Sequence, residues 1–343
     1  MLSFTCDYNE GAHPAILERL LATNLEQEPG YGFDRFSLSA KERIRKALGR
    51  EDADVYLLTG GTQTNSTIIA ALLREYEGAV AAATGHIAVH EAGAVEYTGH
   101  KVLTIPQKQG KMEASALESY LKGFYAEPAF DHMVFPGLVY ISFPTEYGTL
   151  YTLEELRAIR SVCDAYSLPL YVDGARLGYG QASPSCGVDL PGLAALCDAF
   201  YIGGTKVGAF CGEAVVFPRG NAPKGFFTSV KQHGALLAKG RLVALQFDVL
   251  FTNGLYFRLG ENGVRRAMQV RDLFRAHGYE MYLDSPTNQQ FVVLDAAQKE
   301  RISRHAAFDT WENLPDGRTV VRFATSWATT QEQVDSLAEA LRG

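Results

Sequence analysis

Cysteine is scarce and poorly placed for cross-linking: the chain of 343 residues has five, Cys6, Cys163, Cys186, Cys197 and Cys211, an odd number with no C-x-x-C pair. That argues against a disulfide framework or a structural zinc site and suits a reducing, cytoplasmic setting. Positive charge is not in excess either, with 32 Lys and Arg against 39 Asp and Glu and a formal net charge of −7. Without a basic surplus, nucleic acid is not an expected partner. No run approaches about 18 consecutive apolar residues, and Met1-Leu2-Ser3-Phe4-Thr5-Cys6-Asp7 has no basic stretch followed by an apolar one. Neither a membrane span nor a secretory signal is expected. Internal repeats, low-complexity tracts and Pro/Gly linkers are also lacking. What remains is ordinary globular composition, 47% hydrophobic and 21% charged, in a chain long enough for one large domain and one smaller one.

Local signals divide the chain into alternating strands and helices. Ser39-x-x-Glu42 reads as a capping box opening a helix over Ala40 to Leu48, and Thr152-x-x-Glu155 as another, with Leu153, Leu156 and Ile159 on one face. Strands are expected at Val55–Leu58, Lys101–Ile105, Leu138–Ser142, Leu168–Val172, Ala199–Ile202 and Glu213–Phe217. These runs are apolar without clean alternation, the pattern of strands covered on both faces, so the expected class is α/β with helices on both sides of a mostly parallel sheet. From about Phe251 the pattern changes to a long helix (Gly263 to His277), strands near Tyr279–Leu283, Gln290–Leu294 and Thr319–Thr325, and a final helix from Thr330. A smaller C-terminal α+β domain is the natural reading.

Three segments each end an expected strand, where ligands collect in open α/β sheets. Leu58-Thr59-Gly60-Gly61-Thr62-Gln63-Thr64-Asn65 runs into a helix, and glycines plus hydroxyls at a helix N-terminus suit a phosphate. No Lys-Ser/Thr follows, so it is not a Walker A loop. Leu170-Tyr171-Val172-Asp173-Gly174-Ala175-Arg176 puts a carboxylate at the end of a buried strand, where it must be paired or solvated. An Asp173–Arg176 ion pair is the plain structural alternative. Tyr201-Ile202-Gly203-Gly204-Thr205-Lys206-Val207-Gly208 sets a lysine among glycines that let the backbone approach something closely.

Together the segments supply what pyridoxal phosphate requires: a lysine for the Schiff base, a carboxylate on the pyridinium nitrogen so that the ring can take up electrons, and an anion site. A fourth segment, Thr84-Gly85-His86-Ile87-Ala88-Val89-His90-Glu91-Ala92-Gly93, can offer an imidazole to stack on the ring. His86 and His90 with Glu91 as base could instead serve a metal-dependent hydrolase, although their order differs from H-E-x-x-H and no third ligand stands out.

At this point the sequence resembles the threonine aldolase and β-eliminating lyase family, pyridoxal-phosphate enzymes of the aspartate-aminotransferase fold, and most closely its low-specificity bacterial threonine aldolase branch. The resembling segments are Ser3–Asp7, Tyr31-Gly32-Phe33-Asp34, Gly60–Asn65, His86-Ile87 with Glu91-Ala92-Gly93, Asp173–Arg176, Gly203–Lys206 with Gly212-Glu213-Ala214, and Val321–Ser326. The resemblance implies a seven-stranded-type cofactor-binding sheet, residues 16–250 forming the large domain, 251–343 the small one, and 1–15 joining the small domain. It implies Lys206 as the Schiff-base lysine, Asp173 on the pyridine nitrogen, and His86 stacked on the ring. Gly60, Gly61, Thr62, Asn65 and Thr205 fall around the cofactor, the phosphate chiefly near Gly61, Thr62 and Asn65. Arg176 and Arg322 would clamp the substrate carboxylate, with Cys6 and Tyr31 also near substrate, and Lys239 and Arg241 would approach the phosphate of a neighbouring subunit in a homodimer or homotetramer. Two departures stand out: Cys6 where the family often has Ser before the early Asp, and Glu146 in Pro144-Thr145-Glu146-Tyr147-Gly148 where many members place a second histidine.

The expected reaction is retro-aldol cleavage of a β-hydroxy-α-amino acid such as L-threonine or L-allo-threonine, with His86, His90 or Glu146, directly or through water, as base for the hydroxyl proton. A β-eliminating lyase or transaminase using the same cofactor is the near rival, and the metal hydrolase or a non-catalytic amino-acid sensor the distant ones.

Overall fold

A computed structural model describes residues 2–342. Among them the strands are β1 Leu2–Ser3, β2 Asp54–Leu58, β3 Glu77–Ala82, β4 Lys101–Ile105, β5 Phe135–Ser142, β6 Leu170–Asp173, β7 Ala199–Gly203, β8 Glu213–Phe217, β9 Glu280–Met281, β10 Gln289–Leu294, β11 Ala306–Ala307, β12 Asp309–Asn313 and β13 Thr319–Ala324. The main sheet has the order β2-β8-β7-β6-β5-β3-β4, parallel except for β8, which runs antiparallel to both neighbours. The fold is therefore α/β with a mostly parallel seven-stranded sheet. All six strands expected in this part are present. β6 is displaced to end on Asp173 itself, and Glu77-Gly78-Ala79-Val80-Ala81-Ala82 is an additional inner strand.

Side-chain parity sorts the sheet into two cores. Val80, Val139, Ile141, Leu170, Val172, Ile202 and Val216 belong to one face. Ala79, Ala81, Leu138, Tyr140, Tyr171, Tyr201, Val215 and Phe217 belong to the other, which the helix Gly61–Leu72 covers with Ile68 and Ile69. Tyr140 and Tyr171 are register partners on β5 and β6, as are Ser142 and Asp173 at the strand ends. Three tyrosines and the Asp173 carboxylate thus share one face of adjacent strands.

Two helix starts test the capping signals. Thr152 and Glu155 form the expected capping box on the helix Leu153–Ala165. The other helix begins earlier, at Arg35, because Asp34 accepts from the Ser37 N–H; Ser39 instead gives its hydroxyl to Asp248. A carboxylate cap on the first turn outcompetes a box placed mid-helix.

In the C-terminal part, β12-β13-β10-β9 form an antiparallel sheet, and β1 pairs with β11. The long helix runs Leu255–Ala276, starting eight residues before the expected Gly263, and the last helix is Gln331–Arg342. The first half of the long helix lies against the main sheet's helix Leu177–Ala182: a Cβ on Gly260 would stand 2.3 Å from the Gly178 carbonyl oxygen. Its second half buries Val270 and Phe274 with Phe4, Phe323, Val334 and Leu337. Leu2–Phe4 joins this cluster, with the Phe4 N–H donating to the Ala307 carbonyl at 2.8 Å. No helix among the described residues is long and apolar enough to cross a membrane.

Candidate active site

Asp173 is held on both of its carboxylate oxygens. Its Oδ1 accepts from the Tyr201 hydroxyl (2.6 Å) and the Ala175 N–H (3.0 Å), and its Oδ2 from the Tyr140 hydroxyl (2.7 Å) and Asn65 Nδ2 (2.9 Å). Burial pushes the carboxyl up, but the neighbouring His86 and the bonds from Tyr201, Tyr140 and Ala175 outweigh it, so it lies below its ordinary value. The Asp173–Arg176 pair considered from sequence does not form. Arg176 pairs in bidentate fashion with Asp7, Nε to Oδ2 at 2.7 Å and Nη2 to Oδ1 at 3.0 Å, and Asn288 also donates to Asp7 at 2.8 Å.

Lys206 follows a turn in which glycine is required by the chain's own backbone. A Cβ on Gly203 would stand 2.3 Å from the Ala175 carbonyl oxygen, and one on Gly204 2.8 Å from that of Gly212. The glycines thus draw the Lys206 segment onto the Asp173 segment, so what the backbone approaches closely is the chain itself. Burial, with Arg176 beside it, lowers the ammonium's pKa. The turn is clasped by Glu213, whose Oε1 accepts from the Thr205 hydroxyl (2.8 Å) and whose Oε2 accepts from the Gly204 N–H (3.2 Å). Burial pushes the Glu213 carboxyl up to about 8. The Thr205 hydroxyl is therefore turned into the protein rather than toward a ligand.

Lys206, Arg176 and Arg322 line one cavity of about 290 Å³ together with His86, His90, Glu146, Tyr8, Asp309 and Trp311. Arg322 donates through Nη1 to Gln289 (3.0 Å) and through Nη2 to Asp309 (2.9 Å) and the Thr5 carbonyl (3.2 Å), while its buried Nε has no partner. Glu146 takes bonds from the His86 backbone N–H (2.9 Å) and Ser142 Oγ (2.5 Å), and burial raises its pKa. The pKa of His90 is lowered by burial and by its neighbour His86, whose ring centroid lies 5.5 Å away.

Several expected residues lie elsewhere. Asn65 is not at the phosphate end: as the fifth helical residue after the Gly60 N-cap it is beyond the turn of free N–H groups, and it bonds Asp173 and Glu91 instead. Gly60, Gly61 and Thr62 do occupy that N-terminus, where Thr64 Oγ1 is buried without a partner. Cys6 donates to Asn9 rather than to Asp7. Tyr31 lines a separate crevice with Gly32 and Lys41, its ring under the Lys231 ammonium at 4.4 Å. Lys239 is exposed in the turn packed against the Tyr31 segment, and Arg241 donates to the Thr23 (2.5 Å) and Glu26 (2.7 Å) carbonyls at the end of a helix. None of these three reaches the Lys206 cavity of its own chain. Sequence reading assigned no role to Tyr8, Tyr140, Tyr171, Tyr201, Asp309 or Trp311. For the strand tyrosines parity with Asp173 was the available signal, whereas Trp311 and Asp309 carry none.

The sheet order, the helices on both faces and the C-terminal antiparallel sheet give the chain an α/β architecture of fold type I. An aromatic aminotransferase from Pyrococcus horikoshii has this fold, with a TM-score of 0.70 at 15% identity over 99% of this chain and 94% of that one. The particular family is narrower: the chain belongs to the beta-eliminating lyase family, whose model matches residues 4–332. It is 28% identical to a low specificity L-threonine aldolase of Pseudomonas aeruginosa over 99% of this chain and 96% of the relative. It superposes on the threonine aldolase of Leishmania major with a TM-score of 0.96 at 39% identity, covering 100% of this chain and 99% of the other. That membership does not favour the metal-hydrolase alternative. Among the described residues the one group of possible ligands, His86, Glu91 and Asp173, omits the His90 it relied on.

Proposed function

We propose that the protein cleaves the Cα–Cβ bond of a β-hydroxy-α-amino acid, L-threonine or L-allo-threonine, to glycine and an aldehyde, using pyridoxal phosphate. The observation carrying this reading is one cavity lined by Lys206, two guanidiniums and three proton acceptors, His86, His90 and Glu146. The residues fit the cofactor. Lys206 supplies an accessible amine whose pKa burial lowers, and Asp173 a carboxylate kept ionised by four donors. Gly60, Gly61 and Thr62 at a twelve-residue helix N-terminus, with the unpartnered Thr64 hydroxyl, suit its phosphate. When bound, the cofactor supplies a ring that takes up the electron pair left on Cα.

The chain's own groups do the rest. Lys206 would attach the cofactor, Asp173 would hold a proton on its ring nitrogen, and His86 would lie against its ring. The unpartnered Arg322 Nε and the Arg176 Nη1 left over from Asp7 take the substrate carboxylate. That clamp would fix rotation about Cα so that Cα–Cβ rather than Cα–H is the bond set up to break, while His86, His90 or Glu146 accepts the hydroxyl proton. Tyr31, Lys239 and Arg241, packed together away from their own cavity, belong in this reading to the contact of a homodimer or homotetramer. The division into residues 16–250 and 251–343, with 1–15 on the small domain, and a cytoplasmic setting are part of the same proposal. The raised Glu146 carboxyl favours a second reading, protonation of a β-leaving group. Product analysis with L-threonine separates the two: glycine and acetaldehyde for cleavage, ammonia and 2-oxobutanoate for elimination.

A further inference from the structure

Glu91 is fully buried, yet no step above uses it. Its Oε1 accepts from His86 Nδ1 at 2.7 Å and from Asn65 Nδ2 at 2.7 Å, and its Oε2 has no partner. The Asn65 amide is oriented without ambiguity. Tyr171 donates to its Oδ1 at 2.6 Å, and its Nδ2 faces two carboxylates, Glu91 and Asp173, which only N–H groups can satisfy. Glu91 is therefore an acceptor held in place from behind, and the nitrogen of His86 that meets it must carry a proton.

We propose that Glu91 is a positioning residue that fixes the His86 ring with its proton on Nδ1, so that Nε2 is the lone-pair acceptor presented to the cavity. This rests on the aldol-cleavage reading and selects His86 from its three candidate bases. The β-hydroxyl proton passes to Nε2, the C–O bond becomes C=O as Cα–Cβ breaks, and the carbon pair remains on Cα. Of the other two, Glu146 spends Oε1 on Ser142 and the His86 backbone, and His90 faces Trp311, ring centroids 6.1 Å apart, with no comparable partner among its contacts. A carboxylate that selects an imidazole tautomer is worth several orders of magnitude in related proton-transfer sites.

The test is Glu91→Gln in the holoenzyme, beside Glu91→Asp. A glutamine can turn its NH₂ toward Nδ1 and reverse the tautomer. The expected result is a fall in kcat for L-threonine cleavage of about 10²-fold or more with KM little changed, while solvent exchange of the glycine α-proton, which needs no hydroxyl base, stays near wild type. Glu91→Asp should recover part of the loss. Nitrogen NMR of the histidine-labelled chain should show Nδ1–H on His86 in the wild type and a shifted tautomer in Glu91→Gln. Equal loss of cleavage and exchange, unchanged cleavage, or a wild-type His86 protonated on Nε2 alone would each overturn the proposal. Formation of 2-oxobutanoate by the wild type would instead refute the aldol reading, and the tautomer measurement would still decide the role of Glu91.

Discussion

Asp7→Asn is the sharpest perturbation the site offers, because it removes a charge and almost no volume. The Asp7 side chain is 0% exposed and that of Arg176 11%, so the guanidinium left behind cannot turn to bulk water. Breaking a buried pair from one side typically costs about 3–5 kcal/mol, which is roughly a 10²- to 10⁴-fold fall in the folded-to-unfolded ratio. The asparagine still offers one oxygen, for which Arg176 and Asn288 then compete. The pH dependence carries the same signature. Burial raises the Asp7 pKa, but Arg176, Lys206 and the bonds from Arg176 and Asn288 bring it below the ordinary 3.8. A group whose folded pKa is depressed contributes stability that is complete above the unfolded value and lost as pH falls through the folded one. Urea unfolding of wild type and variant should therefore show a constant gap from about pH 5 to 8, shrinking only below 3.8. The double variant Asp7→Asn, Arg176→Gln should be less impaired than the sum of its singles. A gap under about 1 kcal/mol, the size of an exposed pair, or strict additivity, would refute the account.

Lys206→Ala should abolish turnover and the visible absorbance of lysine-bound cofactor while leaving a folded chain, and borohydride-trappable cofactor in that variant would show that another amine is used. Glu213→Gln tests a carboxyl pushed up to about 8 from 4.5. Since its buried charge penalises the folded state more and more as pH rises from 4.5 to about 8, wild-type stability should decline relative to the variant across that window, and parallel curves would dismiss the raised value. Gly203→Ala would set a Cβ 2.3 Å from the Ala175 carbonyl oxygen. It should cost about 1–3 kcal/mol or more and weaken cofactor retention, so a variant with wild-type melting and cofactor content would disprove the close contact between the Lys206 and Asp173 segments.

What could be read from sequence was what local chemistry decides. The Thr152 capping box, the strand carrying Asp173 and the glycine-flanked Lys206 all depend on neighbours within a few residues, and all appear. The Ala-rich β3 escaped because Glu77-Gly78-Ala79-Val80-Ala81-Ala82 has little β-branched character; its strand geometry is imposed by β4 and β5 on either side. Arg176 and Asp7 are each visible as charged residues, but their pairing joins positions far apart in the chain, and sequence spacing made Asp173 the nearer partner for Arg176. Asn65 shows the converse error: the Gly60–Asn65 segment suggested one common ligand, yet helical geometry separates Gly61 from Asn65 by a full turn and gives them different neighbours.

The three tyrosines around Asp173 have a consequence for how the protein meets changes in its surroundings. Burial, reinforced by the negative charge of Asp173, raises the pKa of Tyr140, Tyr171 and Tyr201 well above 10.0, so each stays a hydrogen-bond donor across the neutral range. The Asp173 end is therefore insulated from ambient acidity. The groups whose charge the surroundings can alter lie on the opposite wall, where burial lowers the pKa of His90 and Lys206, raises that of Glu146 and pushes Glu213 up to about 8. One half of the site is a fixed electrical reference and the other an adjustable one, so substitutions along that wall can move an activity optimum while the Asp173 half stays as it is.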